Sequence, residues 1–100
     1  MILKIAERIH ELRDIHSLTQ SDLARKLGIT RASVNAWEMG ISIPSTETIA
    51  ELCICLHTTA DYLLGISNKE VVSLDGYDYE EKEMLYRMLK YFDEMKKLKS

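Results

Sequence analysis

The chain has 100 residues, of which 46% are hydrophobic and 29% charged, enough for one small core and too little for a second. Only 4 Gly and 1 Pro interrupt apolar residues spaced three and four apart, which predicts an all-α protein of helices joined by short turns. The formal net charge is −3, with 6 Lys+Arg against 8 Asp+Glu in residues 1–65 and 7 against 8 in residues 66–100, so gripping nucleic acid by bulk charge is excluded.

No run approaches the roughly 18 apolar residues of a membrane span. The opening MILKIAERIHEL carries charges where a signal peptide has its apolar stretch, so a cytoplasmic location is expected. The 2 Cys, Cys53 and Cys55, lie about 200° apart on a helix and are read as reduced packing thiols.

The first helix is expected over residues 3–15, with Ile5, Ile9 and Leu12 at core spacing beside Arg8 and Arg13. After a turn at Ser17 and Leu18, Thr19 opens a capping-box pattern with Asp22, and Leu23, Ala24 and Leu27 form the buried face of a second helix that Gly28 stops. Thr30 caps a third helix with Val34 and Trp37 inward, so Arg31, Ala32, Asn35 and Ala36 face outward. Gly40 ends it, and Ile41-Ser42-Ile43 form a loop.

Pro44 and Ser45 launch a fourth helix with the core stripe Ile49, Leu52, Cys53 and Leu56, and a short fifth follows Thr58 or Thr59 and stops at Gly65. Residues 66–78 lose the helical period and are read as a linker or arm, with Val71-Val72-Ser73-Leu74 as a candidate extended segment. A long amphipathic helix returns over residues 79 to about 98.

The spacing Arg13, Thr19-Gln20, Leu23-Ala24, Gly28, Thr30, Val34, Trp37-Glu38, Gly40, Pro44-Ser45, Leu52, Leu56, Asp61 and Leu63-Leu64 resembles the Cro-type, lambda-repressor-like (XRE-like) helix-turn-helix family over about residues 5–65. The resemblance implies a five-helix DNA-binding domain in residues 1–65, a linker in 66–78 and a C-terminal helix in 79–100. It implies a sequence-specific regulator of transcription, most simply a repressor, whose third helix enters the major groove of double-stranded DNA.

Matched position by position, the resemblance assigns base reading to Arg31, Ala32, Asn35 and Ala36. Arginine forks onto guanine, asparagine onto adenine, and alanine methyls meet thymine methyls. Gln20 matches the residue that clamps a phosphate with help from the helix N-terminal amides, and Ser33 and Ser42 are further phosphate candidates. Arg13 and Glu38 match positions that form an internal ion pair orienting the third helix.

The sequence departs from the family where relatives often carry lysine or arginine after Gly40. The loop here is apolar, so its phosphate contacts are left to backbone amides and Ser42, implying weak, salt-sensitive monomer binding. His57 stands where a helix-ending glycine is common and is read as a tolerated cap, while His10 and His16 lack partners at metal-ligand spacing.

An enzyme is set aside: there is no paired-carboxylate cleft, no Ser/His/Asp constellation and no phosphate-cradling glycine loop. No cofactor is expected, nor a small-molecule ligand, because residues 66–100 look too short to build a cavity. The rival reading is an antitoxin-like or other protein-interaction module that keeps the fold.

The C-terminal helix carries Met84, Leu85, Met88, Leu89, Tyr91, Phe92, Met95 and Leu98 over nearly twice the arc that one contact needs. One edge is expected against its own domain near Ile54. The other, through Leu85, Met88, Tyr91, Phe92 and Met95, is expected to meet a second copy in a homodimer on a roughly palindromic operator.

Overall fold

Apolar positions three and four apart wind into six helices in the computed structural model of the chain, which describes residues 4–99. They are α1 (Ile5–Ile15), α2 (Gln20–Leu27), α3 (Arg31–Glu38), α4 (Thr46–Cys55), α5 (Ala60–Leu64) and α6 (Tyr79–Lys99). The expected start of α1 at Leu3 lies outside the described residues.

Hydroxyl caps set four of the starts. Thr19, Thr30, Ser45 and Thr59 each accept a hydrogen bond from the amide three residues on, at 3.0, 3.2, 3.2 and 3.2 Å. Each such cap stabilises its helix by about 1 kcal/mol. Thr19 completes a capping box, its own amide donating to Asp22 Oδ2 at 2.9 Å.

The five short helices close around one core in which Ile9, Leu23, Val34, Leu52, Leu56 and Leu63 are fully buried. Of the stripe expected on α4, Ile49 and Cys53 are only half-buried against that core. His57 takes φ +52° after α4, and the next amide, of Thr58, closes back onto Cys53 O at 3.0 Å. This is a helix-ending geometry that glycine adopts at lower cost. Tyr77 Oη lies 3.1 Å from His57 Nε2 and His16 stacks at 5.6 Å, so the residue is held from both sides.

Val71 to Leu74 form no strand, and none occurs among the described residues, because no second extended segment lies beside them to complete a ladder. The arm is instead tied down by buried Arg8 on α1. Its guanidinium donates to Tyr62 O, to Ser67 O at 2.7 Å and to Asn68 Oδ1 at 2.8 Å, and lies 4.0 Å over the Tyr62 ring. A charged group can be buried here because backbone and side-chain oxygens satisfy its donors.

α6 starts with a reciprocal pair, Glu81 N donating to Asp78 Oδ1 at 2.8 Å and Asp78 N to Glu81 Oε1 at 3.0 Å. None of its described residues is buried. Two expectations need correction. Ile54 is 78% exposed and does not receive α6; the helix instead approaches α1 and the end of α4 across the arm. There the two parts enclose an open cavity of about 500 Å³, although residues 66–100 looked too short to build one. Counting those residues alone missed that α1 and α4 supply the facing wall.

Candidate nucleic-acid interface

α2 and α3 are joined by three residues, Gly28, Ile29 and Thr30, and Gly28 makes that possible. At φ +67° it ends α2 while Ile29 N donates to Ala24 O at 3.0 Å. A Cβ at Gly28 would meet nothing within 4 Å, so the demand is conformational and not steric. Gly40 does the same for α3 at φ +73°, with Ile41 N donating to Ala36 O at 2.9 Å.

Burial of Val34 and Trp37 fixes the roll of α3. Arg31, Ala32 and Asn35 are consequently exposed, and Ala36 is half-buried at the edge of the same face. Gln20 Nε2 donates to Asn35 Oδ1 at 3.3 Å, which leaves the Asn35 amide hydrogens as the outward donors. Ser33 is half-buried with its hydroxyl 3.0 Å from Thr30 Oγ1, so it takes part in the cap of its own helix. In the following loop the amides of Ile41 and Ser42 both go to Ala36 O, at 2.9 and 3.3 Å. Two of the three loop amides assigned to phosphate are thus used within the helix end, and the exposed Ser42 hydroxyl remains.

Behind the exposed face, Glu38 gathers four side-chain donors. Arg13 Nε reaches Oε2 at 2.7 Å and Arg13 Nη2 reaches Oε1 at 2.9 Å. His10 Nδ1 donates to Oε1 at 2.8 Å and Gln20 Nε2 at 3.3 Å. Arg13 also donates to Leu18 O at 2.7 Å, tying the α1–α2 turn to the end of α3. The Arg13 and Glu38 side chains are 10% and 6% exposed. Burial pushes the Glu38 carboxyl up, but the bonds from Arg13, His10 and Gln20 together with the Arg13 charge outweigh it and hold the group below the ordinary glutamate value. The Arg13 guanidinium is raised, chiefly by its bond to Glu38.

The structure thus brings Arg13, Glu38, Gln20 and Asn35 into one network. Sequence reasoning missed His10 and the Gln20–Asn35 bond. Their α-helical spacing from Arg13 and Glu38 was the available signal, since His10 precedes Arg13 by three residues and Asn35 precedes Glu38 by three. Leu85, Met88, Tyr91, Phe92 and Met95 lie apart from this face, on α6, and are 37–58% exposed.

A family model described as helix-turn-helix matches residues 9–63. The uncharacterized HTH-type transcriptional regulator YqaE of Bacillus subtilis is 39% identical over 67 residues, covering 66% of this chain and 58% of that protein. The cryptic phage CTXphi transcriptional repressor RstR of Vibrio cholerae is 30% identical over 63 residues, covering 63% of this chain and 56% of the relative. The chain therefore spans less than two thirds of either relative. Among solved structures, a transcriptional regulator from Listeria innocua superposes with a TM-score of 0.62 at 22% identity, over 98% of this chain and 91% of that one, a likeness of fold. With the matched span covering more than half of its length, and its capped helices, glycine turn and exposed third helix in place, the chain belongs to the helix-turn-helix family.

Proposed function

We propose that this chain is a sequence-specific DNA-binding transcriptional regulator, a cytoplasmic repressor that occupies its operator as a homodimer with α3 in the major groove. The observation that carries the reading is the face of α3. Arg31, Ala32 and Asn35 stand exposed on a helix whose opposite side is locked by Val34, Trp37 and the Glu38 network. Side chains that read base edges must be both free and rigidly aimed. Gln20 steadies Asn35 and stands at the N-terminus of α2, where backbone amides favour a phosphate.

The second copy is argued from α6. Leu85, Met88, Phe92 and Met95 follow one another at spacings of three, four and three, the seam of a two-helix coil, and all are exposed. Residues 79–89 hold three acidic against two basic side chains, and residues 90–99 four basic against two acidic. Antiparallel pairing about a two-fold axis sets each acidic half against a basic half. Two reading helices also offset the unfavourable net charge of −3.

Selection of random duplexes on the purified chain, followed by footprinting of the winners, tests the proposal. The expected result is a roughly palindromic site with half-sites about 10 base pairs apart. Failure to enrich any sequence would refute it and favour the protein-interaction reading, to which the negative charge and the loop Ile41-Ser42-Ile43 lend weight.

A further inference from the structure

We infer that the cavity between α1, the end of α4, the arm and α6 is a binding site for a lipophilic amine, an ammonium group on an apolar body, and that its occupant regulates operator binding. At about 500 Å³ the space is within the ordinary range for small-molecule sites, roughly 300–1,000 Å³. Leu12, Ile15 and Leu56 line one side and Met84, Leu85 and Met88 the other. An apolar body fits such walls.

The polar end selects the charge. Tyr62 Oη lies 3.2 Å from Glu70 Oε1 and 3.4 and 3.5 Å from the two oxygens of Glu11. One hydroxyl has one proton, so it satisfies one carboxylate at a time and the other faces it with lone pairs only. Among the described residues neither carboxylate has an ion-pair partner, and no lysine or arginine lines the cavity. Arg8, behind the Tyr62 ring, is committed to Ser67 O and Asn68 Oδ1. Glu81, the third acid in the lining, is committed to the start of α6.

The remaining polar groups do not alter that balance. His16 Nε2 lies 2.9 Å from Leu56 O, and His57 is paired with Tyr77. Desolvation, with Glu11 and Glu70 adding to it, holds the Tyr62 phenol above its ordinary value, so it remains a neutral donor. Glu11 and Glu70 are exposed, and the single Arg8 charge 4.0 Å over the Tyr62 ring offsets only part of theirs, so two carboxylates converging on one oxygen still favour a further cation, and an ammonium brings both the charge and up to three donors. Because α1 belongs to the DNA-binding core and α6 to the proposed dimer seam, an occupant touching both ties their placement together. This regulatory half rests on the DNA-binding reading above.

The test uses three probes with one eight-carbon chain, n-octylammonium, n-octanol and octanoate, titrated calorimetrically into the full chain without DNA. Octylammonium should bind about tenfold more tightly than octanol, with octanoate weakest. Glu11→Gln/Glu70→Gln should erase the preference between amine and alcohol, and Leu85→Trp, which fills the space, should remove both. Equal affinities in the parent, no binding at millimolar octylammonium, or a preference surviving in the double variant would overturn the site. In a gel-shift assay on the selected duplex, octylammonium should change retention of the parent and not of the double variant; unchanged retention of the parent overturns the regulatory half. A chain that retains no duplex at all refutes the DNA reading and its regulation, and calorimetry still decides the site.

Discussion

Glu38→Gln keeps the shape of a side chain that receives four donors and removes the charge that holds them. An exposed ion pair contributes about 0–1 kcal/mol, whereas removing one partner of a fully buried pair costs about 3–5 kcal/mol. The Glu38 and Arg13 side chains are 6% and 10% exposed, and glutamine keeps one acceptor for Arg13 while turning a donor toward it, so a loss of about 2–3 kcal/mol is expected. Urea unfolding of the parent, Glu38→Gln, Arg13→Met and the double variant separates the pair from the bond that Arg13 makes to Leu18 O. The coupling energy should exceed about 1 kcal/mol.

Acid titration supplies an independent arm. Glu38 is held below its ordinary value in the folded chain, so the unfolded chain binds more protons over the interval between the two. The contribution is therefore present above the ordinary, unfolded glutamate value and is lost as pH falls through the lower folded value. Glu38→Gln should flatten that acid limb. A coupling energy near zero, or an unchanged acid limb, refutes the network as the device that orients α3.

Gly28→Ala should cost about 1–2 kcal/mol in denaturant unfolding, because alanine meets no clash but must adopt φ +67°. Arg31→Ala and Asn35→Ala should each lose about 1–3 kcal/mol of operator affinity and relax preference at one base pair per half-site, read by competition with substituted duplexes. Gln20→Ala should weaken binding to all sequences and also relax the Asn35 position, so that its effect is not additive with Asn35→Ala. Phe92→Glu and Met88→Glu should sediment as monomers with much weaker operator binding; a parent that is itself monomeric at tens of micromolar, or charged variants that still dimerise, would remove α6 as the interface.

The helices and their ends were legible because their causes are local. Thr19, Thr30 and Ser45 cap the amide three residues on, Gly28 and Gly40 supply the left-handed conformation at a helix end, and Val34 with Trp37 defines which side of α3 faces inward. All of this acts within about one or two helical turns, where spacing alone carries the information.

What joins distant turns of the chain was decided only by the tertiary structure. The Arg13–Glu38 pair was legible only through the family resemblance, whereas His10 meets Glu38 across 28 residues and Arg8 reaches the arm across 59 and 60, pairings that helical spacing along one element does not reveal. The excess apolar arc of α6 could be counted in the sequence, but which stripe faces its own domain could not. That depends on where the arm leaves the helix against α1 and α4, a matter of packing between segments with no shared local signal. The cavity has the same origin: half its wall comes from each part of the chain, and neither half alone announces it.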